Sequence, residues 1–156
     1  MQLAASAQLP PAHPPCGLAL SQWGQADPAR FYQVYQAAFR DRPGFPGWTQ
    51  ARWAEWTSDD EDFRAQWTLL ATLRGADVAF ITGAATGWII QLGVVPSARG
   101  RDIGARLIGE AVQRMRSADE AAITLTSTST TRTPQRCTAG AASPRSAAAP
   151  GTRAPA

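Results

Sequence analysis

The unit spanning residues 88–125 constrains this chain most. "GWIIQLGVV" (87–95) is a near-continuous apolar run, as a strand buried on both faces requires, and Pro96 ends it. A small polar turn, "PSARGRD", follows. From Asp102 or Ile103 to Arg116 the apolar residues Ile103, Leu107, Ala111, Val112 and Met115 recur at helical spacing, with Arg106, Glu110, Gln113 and Arg114 on the other side. "AAITL" (121–125) is the next strand. Strand, helix, strand in this order predicts a right-handed parallel crossover, and so an α/β fold.

Upstream, "GLALSQW" (17–23) predicts a short strand. Asp27 then caps a helix with Pro28 at its first position, and Phe31, Val34, Tyr35, Ala38 and Phe39 form its inner face. "DRPGFPGW" (41–48) stops that helix. A second helix, "TQARWAEWT", starts from a Thr49 cap and places Trp53 and Trp56 on one face, predicted to point into the core. The acidic run "SDDEDF" (58–63) reads as a solvated turn. "WTLLATLRG" and "DVAFITG" are two strands joined by a turn around Gly75, Ala76 and Asp77.

The 156 residues suit one domain, and 44% hydrophobic content supports a core. The formal charge of +3 suggests an acidic partner until the charges are located. Residues 1–124 carry eleven Arg and twelve Asp or Glu, whereas residues 125–156 carry four Arg and no acid. The basicity belongs to the tail, so the body predicts no nucleic-acid partner. The absence of Lys beside abundant Ala, Arg, Gly and Pro hints at a GC-rich bacterial coding sequence.

Cys16 and Cys137 are isolated, with neither metal-ligand spacing nor a disulfide framework, which fits a reducing cytoplasm. His13 stands alone in a Pro-rich stretch, so neither a His-based triad nor a metal site is expected. "MQLAASAQLPPAHPPCGLAL" lacks a basic start and is broken by four prolines before any membrane-spanning run. Residues 1–16 therefore read as a flexible lead of a soluble protein with no membrane partner.

The chemistry concentrates in the turn before the second half of the crossover. A helix N-terminus presents about four unpaired N–H groups and a positive dipole end, so a small-residue turn leading into one suits a phosphate. Gly100 allows close backbone approach, Gly104 lets the first helical turn face a ligand, and Arg99 and Arg101 add charge.

"QLGVVPSARGRDIGARLI" resembles motif A of the GCN5-related N-acetyltransferase (GNAT) superfamily: Arg or Gln, two residues, Gly, one residue, then Gly or Ala. Arg99 takes the first place, Ile103 the variable place and Gly104 the last, while Asp102 replaces the middle glycine. The order of elements from residue 17 to 116 is similar too, as is "FYQVYQAAFRDRPGFPGW". An Asp at the helix start accepts a backbone N–H well, so Asp102 is expected to face outward as an N-cap and to weaken coenzyme binding without abolishing it.

The resemblance implies a GNAT-like α/β fold, a mixed sheet with flanking helices, with acetyl-CoA as acyl donor, lying where one strand splays from the next, and direct attack by an amine in a ternary complex. The implied coenzyme-binding residues are Leu92, Gly93, Val94, Arg99, Gly100, Arg101, Asp102, Ile103, Gly104 and Ala105. A backbone N–H near Val94 stabilises the carbonyl oxygen. A base and an acid are needed. Glu55, Asp59, Asp60 and Glu61 are candidates for water-mediated base work, and no catalytic residue is singled out. Tyr35, Phe45 and Trp48 are candidate lining residues for a small-molecule or peptide amine acceptor. The alternative reading is a catalytically silent CoA-binding or interaction module.

After Leu125 the composition collapses. Residues 126–156 hold no Leu, Ile, Val, Phe, Tyr or Trp, and such a segment is expected to be disordered. The family continues here with an Asn-containing loop, a helix carrying Leu and Tyr, and a Gly-Phe pair opening another strand. Rereading residues 125–143 from the third base of each codon permits "DVNVDNPDAAALYRRRGF", and Cys137-Thr138 allows only Tyr or His at the place of the family's tyrosine. The tail is therefore read as a shifted frame after about Leu125. On this reading 17–125 is an incomplete acetyltransferase domain that lacks the last helix and strands and has impaired activity, and 126–156 is the tail.

Overall fold

The computed structural model describes residues 2–4, 11–118 and 122–125. Among these, six strands form one sheet: β1 (Gln2–Ala4), β2 (Leu18–Gln22), β3 (Leu69–Leu73), β4 (Ala76–Ala84), β5 (Trp88–Val94) and β6 (Ala122–Leu125), in the order β1-β6-β5-β4-β3-β2. β5 and β6 run parallel and the other neighbours are antiparallel. The helices are α1 (Pro28–Phe39), α2 (Gln50–Ser58) and α3 (Ile103–Ser117). The mixed sheet and the parallel crossover are those expected from the sequence.

Two of the three capping expectations hold in atomic detail. Asp27 Oδ1 accepts from the Ala29 N–H at 2.8 Å with Pro28 opening α1, and Thr49 Oγ1 accepts from the Arg52 N–H at 3.3 Å to open α2. Both helices lie on one face of the sheet, where Phe31, Tyr35 and Trp53 pack on Leu70 and Phe80. On the other face the whole predicted stripe of α3 is buried, against Leu69, Ala71, Ala79 and Ile81. Each fully buried Leu, Ile, Val, Phe or Met among them contributes roughly 1.5–3 kcal/mol relative to exposure.

Covered on both sides, β3 and β4 are the most deeply buried strands: Leu69, Leu70, Ala71, Ala79, Phe80 and Ile81 are all 0% exposed. The sequence assigned that place to β5. In the structure β5 is largely half-buried and opens with Trp88 exposed, and β6 pairs with only its first two residues. The β3–β4 turn is also one step earlier than expected. It is the two-residue loop Arg74-Gly75, both residues in the left-handed region, a hairpin geometry that matches strand twist.

The tryptophans of α2 part company. Trp53 is fully buried, but Trp56, one step further round the helix, is exposed and rests on Trp48 at 5.3 Å. α1 is fastened across the β3–β4 hairpin by a bidentate ion pair. Arg30 Nε donates to Asp77 Oδ2 at 2.9 Å and NH2 to Oδ1 at 2.6 Å, while the Thr72 hydroxyl donates to Oδ1 at 2.7 Å. That arrangement holds the Asp77 carboxyl below the usual carboxylate range.

Within residues 1–16, read as a flexible lead, Gln2–Ala4 forms β1 on the outer edge of β6. Residues 126–156, including the shifted-frame reading and the absent helix and strands, lie outside the described residues.

Candidate functional site

The site is an edge and a turn. β5 pairs with β6 only through Trp88 and Ile89, then runs on to Val94 with no partner on that side among the described residues. Its ladder with β4 slips between Thr82 and Gly83, leaving Ile90 as the extra residue of a bulge. The Val95 N–H donates to the Val78 carbonyl at 2.9 Å, so by the alternation of an antiparallel ladder the polar groups of Val94 face the open edge. The Val94 carbonyl is indeed taken from that side, by Arg99 Nε at 3.1 Å.

The chain leaves β5 through a short 3-10 turn, Pro96–Ala98, passes Gly100 at φ +73°, and enters α3. The first helical bond runs from the Arg106 N–H to the Asp102 carbonyl at 2.9 Å, so the N–H groups of Ile103, Gly104 and Ala105 have no acceptor within the helix. Asp102 occupies the N-cap position but does not cap. It sits in the left-handed region at φ +57°, and its side chain makes no capping hydrogen bond. The expected outward cap is therefore corrected: an N-cap residue accepts from the helix when its backbone is extended, as Asp27 does, and the left-handed backbone removes that geometry. The same conformation gives a physical reason for the motif's glycine at this place.

The tertiary structure also spends most of the positive charge that the sequence offers the turn. Arg99 donates through Nε to Val94 and through NH2 to the Ala38 carbonyl at 3.1 Å, tying the turn to the end of α1. Arg106 pairs with Glu110 at 3.0 Å. Arg101 is exposed and makes no side-chain hydrogen bond or ion pair among the described residues.

The remaining residues of the set serve packing as well as access. A Cβ on Gly104 would meet Val94 Cγ2 at 3.6 Å and Leu92 Cδ2 at 3.8 Å, ordinary contacts that seat the first turn of α3 on β5. A Cβ on Gly93 would stand 2.6 Å from Phe80 Cε1, so glycine is needed there for the approach of α1. Ile103 is 1% exposed, which leaves only its backbone facing the turn.

The other candidates are scattered. Glu55, Asp59, Asp60 and Glu61 are exposed. Their loop is fastened to the end of β4: the Arg64 N–H donates to the Gly83 carbonyl and the Ala85 N–H to the Asp62 carbonyl. Tyr35, expected as pocket lining, is instead core. It is 4% exposed, stacked on Trp53 at 5.2 Å, and burial pushes its phenol above the usual range. Phe45 and Trp48 are half-buried beside it. Gln91, which no sequence pattern marked, stands where β5 and β6 part. A hollow of about 460 Å3 bounded by Gln22, Gln66, Trp67, Gln113 and Ser117 lies at the opposite end of α3 and is separate from this edge.

Among the described residues no group of three His, Cys, Asp or Glu side chains is placed to hold a metal, and no helix is long and apolar enough to cross a membrane.

The model of the acetyltransferase (GNAT) family matches residues 19–136. A GCN5-related N-acetyltransferase from Sphaerobacter thermophilus is similar in structure, with a TM-score of 0.63 and 24% identity over 84% of this chain and 44% of that one. A GNAT family acetyltransferase from Brucella melitensis, solved in complex with acetyl-CoA, gives 0.52 and 24% over 65% and 70%. The ribosomal-protein-S18-alanine N-acetyltransferase from Escherichia coli gives 0.51 and 17% over 65% and 61%. This chain thus spans less than half the length of the Sphaerobacter protein, and at these identities the likeness is one of fold. No curated protein matches. With a parted strand pair, a bulge, an uncapped helix start and a family match over most of its length, the chain belongs to the GNAT acetyltransferase family.

Proposed function

We propose that this chain binds acetyl-CoA along the free edge of β5 and transfers the acetyl group to a primary amine. The observation that carries the reading is the parting of β5 from β6 directly before a helix whose first N–H groups are unspent. Family membership supports it, and so does the acetyl-CoA held by the Brucella protein.

The coenzyme's diphosphate is assigned to the N–H groups of Ile103, Gly104 and Ala105, with the exposed Arg101 beside them. Leu92 and Val94 offer outward backbone groups to the amide-bearing arm, as a further strand would. Gly93, Arg99, Gly100 and Asp102 shape that surface. The neutral amine attacks the thioester carbonyl, forming a C–N bond and breaking the C–S bond. Its surplus proton leaves through water toward an exposed carboxylate among Glu55, Asp59, Asp60 and Glu61, and the departing thiolate takes a proton. The Val94 N–H, facing the edge, donates to the carbonyl oxygen as negative charge develops there.

The working domain is residues 17–125, in a bacterial cytoplasm, with a small-molecule or peptide amine as acceptor and neither nucleic acid nor membrane as partner. Reading the tail as a shifted frame adds that turnover is impaired relative to binding. Calorimetry with CoA against ATP, followed by thiol release from acetyl-CoA in the presence of amines, tests this. Binding of CoA with amine-dependent thiol release supports the transfer reading, binding with no turnover leaves a coenzyme-binding module, and preference for ATP refutes both.

A further inference from the structure

Gln91 holds a buried side-chain oxygen, Oε1, with no hydrogen-bond partner among the described residues. Buried carbonyls are almost always paired, and leaving one unpaired is costly, so an orphan of this kind points to a donor that arrives later. Its position is specific. The Gln91 N–H donates to Thr82 Oγ1 at 3.0 Å where the ladder slips at the bulge, and the last residue of β5 paired with β6 is Ile89. Gln91 therefore stands two residues past the last pair, at the vertex where the two strands separate.

The face is equally defined. Gly93, two residues on, is directed at Ala38, Phe39 and Phe80, and side chains two apart on a strand share a face. Gln91 thus belongs to the α1–α2 side of the sheet, whereas Leu92 and Val94 pack on the α3 side. A coenzyme arm pairing with the strand edge addresses outward backbone groups, not a side chain on this face. The donor that approaches from the α1–α2 side is the nucleophile.

We propose that Gln91 positions the acceptor: Oε1 accepts one N–H of the attacking amine and so directs its lone pair at the thioester carbonyl. The inference rests on the acetyl-transfer reading and deepens it. The amide takes no proton, so deprotonation stays with water and a carboxylate. The loop carrying Asp59, Asp60, Glu61 and Asp62 is fastened to Gly83 and Ala85, beside the strand residues that pair with Trp88 and Ile89. Its charge favours an acceptor that approaches as a cationic primary amine.

The test uses the full chain with Gln91→Leu and Gln91→Glu, CoA and acetyl-CoA, and two amine probes, an alanyl tripeptide and spermidine. Gln91→Leu is expected to keep CoA affinity within about twofold, to weaken the amine KM about tenfold, and to raise Tm, since it removes an unpaired buried oxygen. Gln91→Glu restores an acceptor oxygen, recovers the amine KM, and adds a carboxylate limb to the pH profile. Where turnover is too slow, amine affinity for the CoA-loaded chain replaces KM with the same thresholds. An amine constant unmoved by Gln91→Leu, or a lowered Tm with matching loss of CoA affinity, overturns the inference and leaves the transfer reading standing. Wild-type chain that binds no CoA overturns both.

Discussion

Arg99 and Ala38, sixty-one positions apart, are joined by a hydrogen bond of 3.1 Å from the guanidinium to the last-turn carbonyl of α1. The same guanidinium reaches back to Val94, so one side chain clamps the turn between the end of β5 and α1, on the face of the sheet opposite α3. An arginine that reads in the sequence as a charge for phosphate is, in the fold, a brace for the turn.

Arg99→Lys and Arg99→Ala should therefore behave alike. A single ammonium lacks the planar fork that spans two carbonyls, so each variant loses about 1 kcal/mol of stability and weakens CoA binding by loosening the turn. Arg101→Ala should instead leave stability unchanged while lowering CoA affinity and reducing its salt dependence. Chemical denaturation and calorimetry at two salt concentrations separate the two; rescue by lysine at position 99 would refute the brace.

Asp102 combines a left-handed backbone with a carboxylate that makes no capping hydrogen bond. Asp102→Gly should gain about 1 kcal/mol of stability by relieving the left-handed conformation, and should bind CoA roughly tenfold more tightly, equal to about 1.4 kcal/mol, by removing charge beside the diphosphate. Asp102→Asn, which tolerates the same backbone, should gain most of the affinity and little of the stability. Equal affinity in all three chains would show that the carboxylate points away from the ligand.

Two glycines of the site should respond oppositely to one methyl group. Gly93→Ala drives a Cβ into Phe80, with Ala38 and Phe39 also close, and should cost about 1–3 kcal/mol. Gly104→Ala meets only ordinary contacts and should stay within about 0.5 kcal/mol of wild type. Urea unfolding of the pair checks this.

The Arg30–Asp77 pair sets an acid limit. Hydrogen bonding from Arg30 lowers the folded-state pKa of Asp77, so its contribution is present above the ordinary carboxylate range and is lost as pH falls through and below that range. Asp77→Asn should be less stable than wild type at pH 7, and the difference should shrink toward pH 2. Melting curves from pH 2 to 7 read this directly, and a constant difference across that span would dismiss the linkage.

By itself the sequence determined what depends on neighbours along the chain. Asp27-Pro28 and Thr49 start helices where they stand, the 3.6-residue stripe of α3 meets the sheet residue for residue, and the run up to Pro96 is a strand feeding that helix, because caps, periodicity and proline act within a few residues. The motif from Arg99 to Gly104 was legible for the same reason. Only tertiary structure decided which strands are buried on both faces, since burial of β3 and β4 depends on α1 and α3 closing over them. It alone turned Tyr35 into core, committed Arg99 to Ala38 and Val94, and set Asp102 in a left-handed backbone that cannot cap. It also left the Gln91 side-chain oxygen without a partner among the described residues at the vertex of β5 and β6, because hydrogen-bond satisfaction is a property of the groups that meet in space, and these come from segments far apart in the chain.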